Sequence, residues 1–158
     1  DGKPVSLKSF DDKIFVANFF YTHCPTVCNE MNANMDSLVQ AWAKNKMVHF
    51  ASITVDPARD SVPALKAYST KFASQPKWSF LTGDTATIYH LARQGFLVNA
   101  LKMDNDDFIY SDKLILIDQH KRIRGYYSGT NLTDVLRLND EIKVLISEEL
   151  LEKDVPLY

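Results

Sequence analysis

The sequence predicts an α/β fold, with a central mixed sheet and helices on both faces. Short apolar runs of strand length alternate with segments in which apolar side chains recur every three or four residues, as in helices. The first strong run, residues 13–21, is apolar enough to be a strand buried on both faces. The chain has 158 residues, and we expect residues 1–158 to form a single domain.

The expected elements follow from where these patterns start and stop. After the first strand we expect a helix over residues 25–43, a strand at 47–55, and a helix at 61–72 with Asp60 as its N-cap. The remaining expected elements are a strand at 78–81, a helix at 85–94 closed by Gly95, a polar loop at 102–107, a hairpin of strands 113–117 and 123–127, and a helix at 131–151. This order, with a cysteine pair after the first strong strand, is that of a thioredoxin fold with an additional αβ piece.

The composition argues against several classes of partner. The formal net charge is −2, with no basic excess of the kind that nucleic-acid binding needs, so we expect no nucleic-acid partner. The longest apolar stretch, residues 14–21, is far shorter than the roughly 20 residues of a membrane-spanning helix. Residues 1–4 resemble a turn already inside a fold, and we expect the chain to follow a removed N-terminal segment.

Cys24 and Cys28 are the only cysteines in the sequence. A disulfide between residues this close would close almost no loop, so chemistry explains the pair better than stabilisation does. Pro25 suits the first turn of a helix, which places Cys24 at the helix N-terminus and Cys28 about one turn further on. Their Cβ atoms would lie roughly 5–6 Å apart, so the sulfurs can bind one soft metal ion or form a disulfide.

Two further expectations concern the two sulfurs. We expect both to lie on an exposed rim beside the helix start, where the helix dipole and free N–H groups favour the Cys24 thiolate. The sequence also contains four histidines, and for each we favour a packed or surface role over a metal-ligand role: His23, His49, His90 and His120. His23 directly precedes Cys24, so its side chain should point away from that cysteine if the strand geometry persists.

With these residues in view, the chain resembles the Sco/SenC family over almost its whole length. The resemblance is carried by Asp1-Gly2-Lys3, the block FFYTHCPTVC, residues 52–68 (SITVDPARDSVPALKAY), Phe80-Leu81-Thr82-Gly83, residues 111–118 (SDKLILID) and residues 123–130 (IRGYYSGT). It implies a thioredoxin fold that binds copper through two cysteines and one histidine. It also implies assembly of the dicopper site of cytochrome c oxidase, with the subunit bearing that site, or another copper or thiol protein, as partner.

The resemblance also implies a location and a set of site residues. The expected location is outside the cytoplasm, on the periplasmic face of a bacterium or in the mitochondrial intermembrane space, with a membrane anchor N-terminal to this chain. Cys24 and Cys28 match the family's two thiolate ligands, and Asp56 matches its acidic residue near the site. The family's histidine ligand is replaced by Tyr110, and Asn29 stands where a proline commonly follows the second cysteine.

The tyrosine changes the expected metal chemistry. A phenol with a pKa near 10 is a hard, mostly protonated ligand at neutral pH and a poor replacement for imidazole. Two thiolates still suit Cu(I), whereas Cu(II) should be held much less well. We also consider a flap formed by the acidic loop before Tyr110, from which Met103 could offer a thioether to Cu(I).

Several functions therefore stay open. The first is a copper-binding metallochaperone, which is not an enzyme in the strict sense. The second is a thiol-disulfide oxidoreductase that uses Cys24 and Cys28 as a redox pair without a stable copper site. A peroxidase-like thiol enzyme needs an activating cation beside an exposed thiolate, and Arg59 is the only cation that the motifs bring near. A domain that has lost its function would have little reason to keep both cysteines.

Overall fold

Strands and helices alternate along the chain, as the sequence pattern predicts. The computed structural model describes residues 2–24, 27–72, 77–96, 101–102, 108–109 and 111–154. The strands are β1 (Ile14–Phe20), β2 (Val48–Thr54), β3 (Trp78–Leu81), β4 (Leu101–Lys102), β5 (Phe108–Ile109), β6 (Lys113–Ile117) and β7 (Ile123–Ser128). The helices are α1 (Val27–Ala41), α2 (Val62–Ser69), α3 (Thr85–His90) and α4 (Leu132–Asp154).

β1 lies at the centre of a five-stranded mixed sheet with the order β3-β2-β1-β6-β7. It pairs in parallel with β2 and antiparallel with β6, and all seven of its residues are buried. Its almost uniformly apolar sequence reflects that burial. Because β1, β2 and β3 are parallel, their carboxyl ends meet at one edge of the sheet, where Phe20 pairs with Thr54. The turn that leads to Cys24 and the loop that follows β2 therefore lie side by side.

Helices cover both faces of the sheet. Neighbouring strand residues point to opposite faces, and in β1 the side chain of Asn18 meets Asn32 of α1. The next residue, Phe19, packs on the other face against Phe96, which follows α3, with ring centroids 5.5 Å apart. The predicted α/β class with a mixed central sheet is thus confirmed. Within the described residues, no helix has both the length and the apolar character to cross a bilayer.

A chain of buried hydrogen bonds connects β3, β2 and β1 of the sheet to helices α1 and α2. Ser52 Oγ donates to Asn18 Oδ1 at 2.6 Å and accepts from Trp78 Nε1 at 2.9 Å. Asn18 Nδ2 donates to Asn32 Oδ1 at 2.8 Å, and Asn32 Nδ2 donates to the Tyr68 hydroxyl at 3.0 Å. Each polar group is buried but paired, so the network fixes how α1 and α2 sit on the sheet.

Most expected elements are present with small changes at their ends. The first two strands are each one residue shorter at both ends than expected, at Ile14–Phe20 and Val48–Thr54. The expected helix at 25–43 is described over Val27–Ala41, and its expected start at Pro25 lies outside the described residues. The first hairpin strand has the expected bounds, and the second ends one residue later than expected, at Ser128. The last helix begins one residue later and ends three residues later than expected, at Leu132 and Asp154.

Four local expectations differ from the structure. Asp60 is not the N-cap of α2, because Ser61 takes that role and accepts from Ala64 N, while the Asp60 carboxylate turns inward. α2 ends at Ser69 rather than at residue 72. The helix expected at 85–94 changes to a π-helical turn over Leu91–Gly95. In the expected loop at 102–107, Lys102 belongs to β4, and residues 103–107 lie outside the described part of the chain.

Candidate thiol and metal site

Cys24 and Cys28 form a disulfide across the first turn of α1. Their Cα atoms lie 5.8 Å apart, in agreement with the expected position on one helix face. The backbone N–H of Cys28 donates to Sγ of Cys24 at 3.3 Å. The chain therefore brings both sulfurs to one point at the carboxyl edge of β1, directed by a turn in which Cys24 N–H donates to Tyr21 O at 3.2 Å.

The expectation of an exposed rim is wrong. Cys24 is 4% exposed and Cys28 is fully buried. Cys28 lies in the first turn of α1, on the same inward face as Met31 and Met35, which are also fully buried. The sulfurs consequently belong to the edge of the hydrophobic core, where thiol chemistry is shielded from bulk water.

A second group of buried polar residues lies beside the cysteine turn. The fully buried carboxylate of Asp60 accepts from the backbone N–H of Thr22 at 3.0 Å and from the Thr22 hydroxyl. The same carboxylate accepts from the Thr54 hydroxyl, at the end of β2, at 2.6 Å. Thr54 Oγ1 in turn accepts from the backbone N–H of Asp56 at 3.0 Å. One buried carboxylate thus connects the turn before Cys24 to the loop after β2.

Asp56 is 5% exposed and forms an ion pair with Arg59 within the same loop. The Arg59 side chain is partly exposed, so the buried negative charge has a cation on its solvent side. Asp56 therefore lies in the loop beside the cysteine turn, as the family resemblance implies, and it is held there by Arg59.

His23 approaches these carboxylates more closely than the sequence suggested. Within the described residues, His23, Asp56 and Asp60 form one group whose potential ligand atoms all lie within 4.8 Å of one another. His23 is exposed, and its Nδ1 lies 3.2 Å from the Thr22 hydroxyl. Both carboxylates already accept hydrogen bonds, Asp60 from two threonines and Asp56 from Arg59. This group therefore lies next to Cys24, and both of its carboxylates already have hydrogen-bond donors.

The other three histidines lie away from this group. His49 is half-buried in β2, and burial, followed by the charge of Lys13, lowers its pKa from the ordinary value of 6.5. His90 is exposed near the end of α3. His120 lies in the hairpin turn, with Nε2 3.0 Å from the Glu152 carboxylate. None of these positions contradicts the expected packed or surface roles.

Sequence reasoning missed how Thr22, Thr54 and Asp60 are brought together. The sequence predicts Asp60 to be a helix cap, because an acidic residue before an amphipathic segment usually has that role. The sequence does contain a signal for a separate role of Asp60. The VDPARD block has two aspartates, and only one of them is needed for an ion pair with Arg59. Tyr110, the expected third-ligand position, and Met103 both lie outside the described residues.

Comparison with known proteins decides the family. The SCO1/SenC family model matches residues 1–146, which is most of the chain. The chain belongs to the SCO1/SenC family. It is 30% identical over 147 residues to the SCO1 protein homolog of Bacillus subtilis, covering 90% of this chain and 76% of that one. It spans only 33% of a mitochondrial SCO1 homolog from Arabidopsis thaliana.

Solved SCO1/SenC structures share the whole architecture. A SCO1/SenC family lipoprotein from Bacillus anthracis superposes with a TM-score of 0.85 at 34% identity, covering 92% of this chain and 88% of that one. BsSco, described as a cytochrome c oxidase assembly protein with a disulfide switch, gives 0.80 at 29% identity, with 91% and 86% covered. Copper-bound ScoI from Arabidopsis thaliana gives 0.78 at 27% identity, with 93% and 92% covered. The thioredoxin-like fold expected from the sequence is thereby confirmed.

Proposed function

We propose that this chain is a copper-binding assembly protein that handles Cu(I) through Cys24 and Cys28 and serves the dicopper site of cytochrome c oxidase. The single observation that carries the proposal is the convergence of the two sulfurs at the start of α1, in a family with a copper-bound member. The partner would be the oxidase subunit bearing the dicopper site, or another copper or thiol protein.

The donor set fits a soft metal ion. Reduction of the disulfide would leave two thiolates within reach of one ion, and thiolates favour Cu(I) over hard cations. The N–H of Cys28 supplies a hydrogen bond to Cys24 Sγ, which supports an anionic sulfur there. Burial of both cysteines would protect bound Cu(I) from water and oxidants. In this role copper is cargo that the protein passes on.

The third ligand is the point at which this chain departs from its family. Tyr110 occupies the position of the usual histidine, and Asp56 supports the site from the neighbouring loop. A protonated phenol adds little to Cu(I) affinity and cannot replace the imidazole that Cu(II) prefers. We therefore infer that Cu(I) is the form bound and that Cu(II) binding is weak.

Anaerobic titration tests this proposal directly. The reduced protein and a Tyr110→His variant are titrated with Cu(I) and, separately, with Cu(II). We expect one Cu(I) per chain in both proteins, and tight Cu(II) binding with sulfur-to-copper charge-transfer absorption only in Tyr110→His. A strongly absorbing Cu(II) complex of the unmodified protein would contradict the assigned role of Tyr110.

A second function is favoured by the disulfide itself. Cys24 and Cys28 are joined in this structure, and the related BsSco is described as having a disulfide switch. A thiol-disulfide oxidoreductase could keep the copper-ligand cysteines of a partner reduced without binding copper stably. Turnover of a peptide disulfide by the reduced protein, with no measurable Cu(I) affinity, would favour this function over metal transfer.

We further infer an extracytoplasmic location with a membrane anchor N-terminal to this chain. The support is the family and the description of the Bacillus anthracis relative as a lipoprotein. Fractionation of cells that express the full gene product, with and without protease treatment of intact cells, tests this. Protein that stays soluble and protected inside the cytoplasm would contradict the inference.

A further inference from the structure

We propose that Asp60 is a positioning residue for Cys24, whose buried carboxylate holds the turn at residues 21–24 so that the two sulfurs meet. The inference rests on the proposed thiol and metal role of the cysteine pair. Asp60 is fully buried, and it lies in the loop after β2, four residues beyond Asp56. Asp60 is not needed as the cap of α2, because Ser61 caps that helix.

Asp60 contacts the cysteine turn through Thr22. Thr22, two residues before Cys24, gives Asp60 both its backbone N–H, at 3.0 Å, and its hydroxyl. Two bonds from one residue fix the position and the orientation of the chain there. Asp60 is fully buried, so water does not compete for these bonds and the constraint is a firm one.

Asp60 is also held by the end of β2. The third bond to Asp60 comes from the Thr54 hydroxyl at 2.6 Å, and Thr54 is the last residue of β2. Thr54 pairs with Phe20 in the sheet, and Val55 N–H donates to Phe20 O at 2.8 Å. Asp60 therefore ties the turn into Cys24 to the end of β2, beside the central strand of the sheet.

This geometry affects how readily Cys24 and Cys28 form their disulfide. A disulfide forms more readily when its two thiols are held near each other, since less conformational entropy is lost on closure. Cys28 is held by α1, whereas Cys24 precedes the described start of that helix and follows the turn that Asp60 holds. A freer turn lets the Cys24 thiol move away from Cys28. The equilibrium between disulfide and dithiol therefore reports the positioning.

The test is a glutathione equilibrium on the metal-free protein. The Cys24–Cys28 bond breaks and its sulfurs take up two electrons and two protons, while two glutathione thiols lose the same and join in glutathione disulfide. We expect Asp60→Ala to make reduction at least tenfold more favourable, which is a rise of about 30 mV in the two-electron potential. Thr22→Val, which keeps the N–H and removes the hydroxyl, should shift the equilibrium in the same direction by a smaller factor.

Two comparisons separate positioning from other effects. Asp60→Asn can still accept through its carbonyl oxygen from Thr22 N–H and Thr54, while its amide donates to the Thr22 hydroxyl. It should therefore stay within about threefold of the unmodified protein if geometry is what matters. Asp118→Ala removes another fully buried carboxylate, which accepts from the N–H groups of His120 and Arg122. Asp118 follows β6 near the start of β1, at the other edge of the sheet from Cys24, and its loss should leave the equilibrium unchanged.

These outcomes decide the proposal. An unchanged equilibrium in folded Asp60→Ala and Thr22→Val would overturn it, as would an equal shift in Asp118→Ala or in Asp60→Asn. If Asp60→Ala does not fold, Thr22→Val decides alone. Because no copper is present, failure here leaves the Cu(I) proposal standing, and failure of Cu(I) binding leaves this result standing.

Discussion

The backbone N–H of Cys28 donates a hydrogen bond to Sγ of Cys24 at 3.3 Å. The donor belongs to the first turn of α1, so the sulfur that precedes the helix receives both this bond and the positive end of the helix dipole. The two cysteines are therefore chemically unequal, although both are buried.

This inequality predicts which thiol reacts first. After reduction, brief alkylation at neutral pH should label Cys24 before Cys28, because the hydrogen bond and the dipole favour the Cys24 anion. Peptide mass mapping after short exposure measures the ratio. Preferential labelling of Cys28 would reverse the assigned roles, and equal labelling in the denatured protein is the control.

The tight approach of Gly129 to α1 predicts a packing effect on stability. A Cβ at Gly129 would lie 2.6 Å from Met31 Cγ and 2.9 Å from the backbone oxygen of Asp112, which cannot give way. We expect Gly129→Ala to lower the free energy of unfolding by about 1–3 kcal/mol. Gly83→Ala is the matched control, since its Cβ would meet only Ile88, at 3.7 Å. Equal stability of the two variants in urea unfolding would contradict this packing.

The buried hydrogen-bond chain predicts a second stability effect. Asn32→Ala would leave the Asn18 amide and the Tyr68 hydroxyl without their bonds to Asn32. We expect a loss of about 2–4 kcal/mol, since each buried group left unpaired costs about 1–3 kcal/mol. Ser37→Ala, on the exposed side of the same helix, is the control: it removes a hydroxyl that donates to Ala33 O, and it should change stability little. A comparable loss in both variants would contradict the network as its cause, because alanine is the better helix former at both positions.

His49 predicts a pH dependence of stability near neutrality. Burial and the charge of Lys13 lower its pKa in the folded state from the ordinary 6.5. As pH falls through that ordinary value, the unfolded chain takes up a proton that folded His49 resists, so the free energy of unfolding declines. The decline should level off below the folded-state pKa. The free energy of unfolding is measured in urea between about pH 5 and 8 for the unmodified protein and for His49→Gln. The difference between the two free energies, plotted against pH, is the contribution of His49. A difference that does not change with pH would rule out this contribution.

Much of the fold was predictable because local pattern and tertiary role agree. β1 is apolar except at Asn18 because both its faces are covered. The four-residue spacing of Cys24 and Cys28 at a helix start is enough to predict that their sulfurs come together. The hairpin strands were predictable for the same reason, since their patterning and their turn both lie within a short stretch.

The rest depended on contacts between distant segments. An aspartate before a helix is usually an exposed cap, but Thr54 and the distant Thr22, 38 residues away in sequence, make Asp60 a buried acceptor. The burial of the two sulfurs was missed for a similar reason. A helix N-terminus in isolation is exposed. The burial of the cysteine turn depends on the segments that pack against it, and the motif does not predict these contacts.

The most direct test of the central claim is a Cu(I) competition titration of the reduced protein alongside Cys24→Ser and Cys28→Ser variants. Each chain competes with a chromophoric Cu(I) chelator of known affinity under anaerobic conditions. We expect one Cu(I) per unmodified chain and a loss of at least a hundredfold in affinity in either variant, because a hydroxyl is a poor ligand for a soft ion. Unchanged Cu(I) affinity in both serine variants, or no Cu(I) binding by the unmodified reduced protein, would contradict the account.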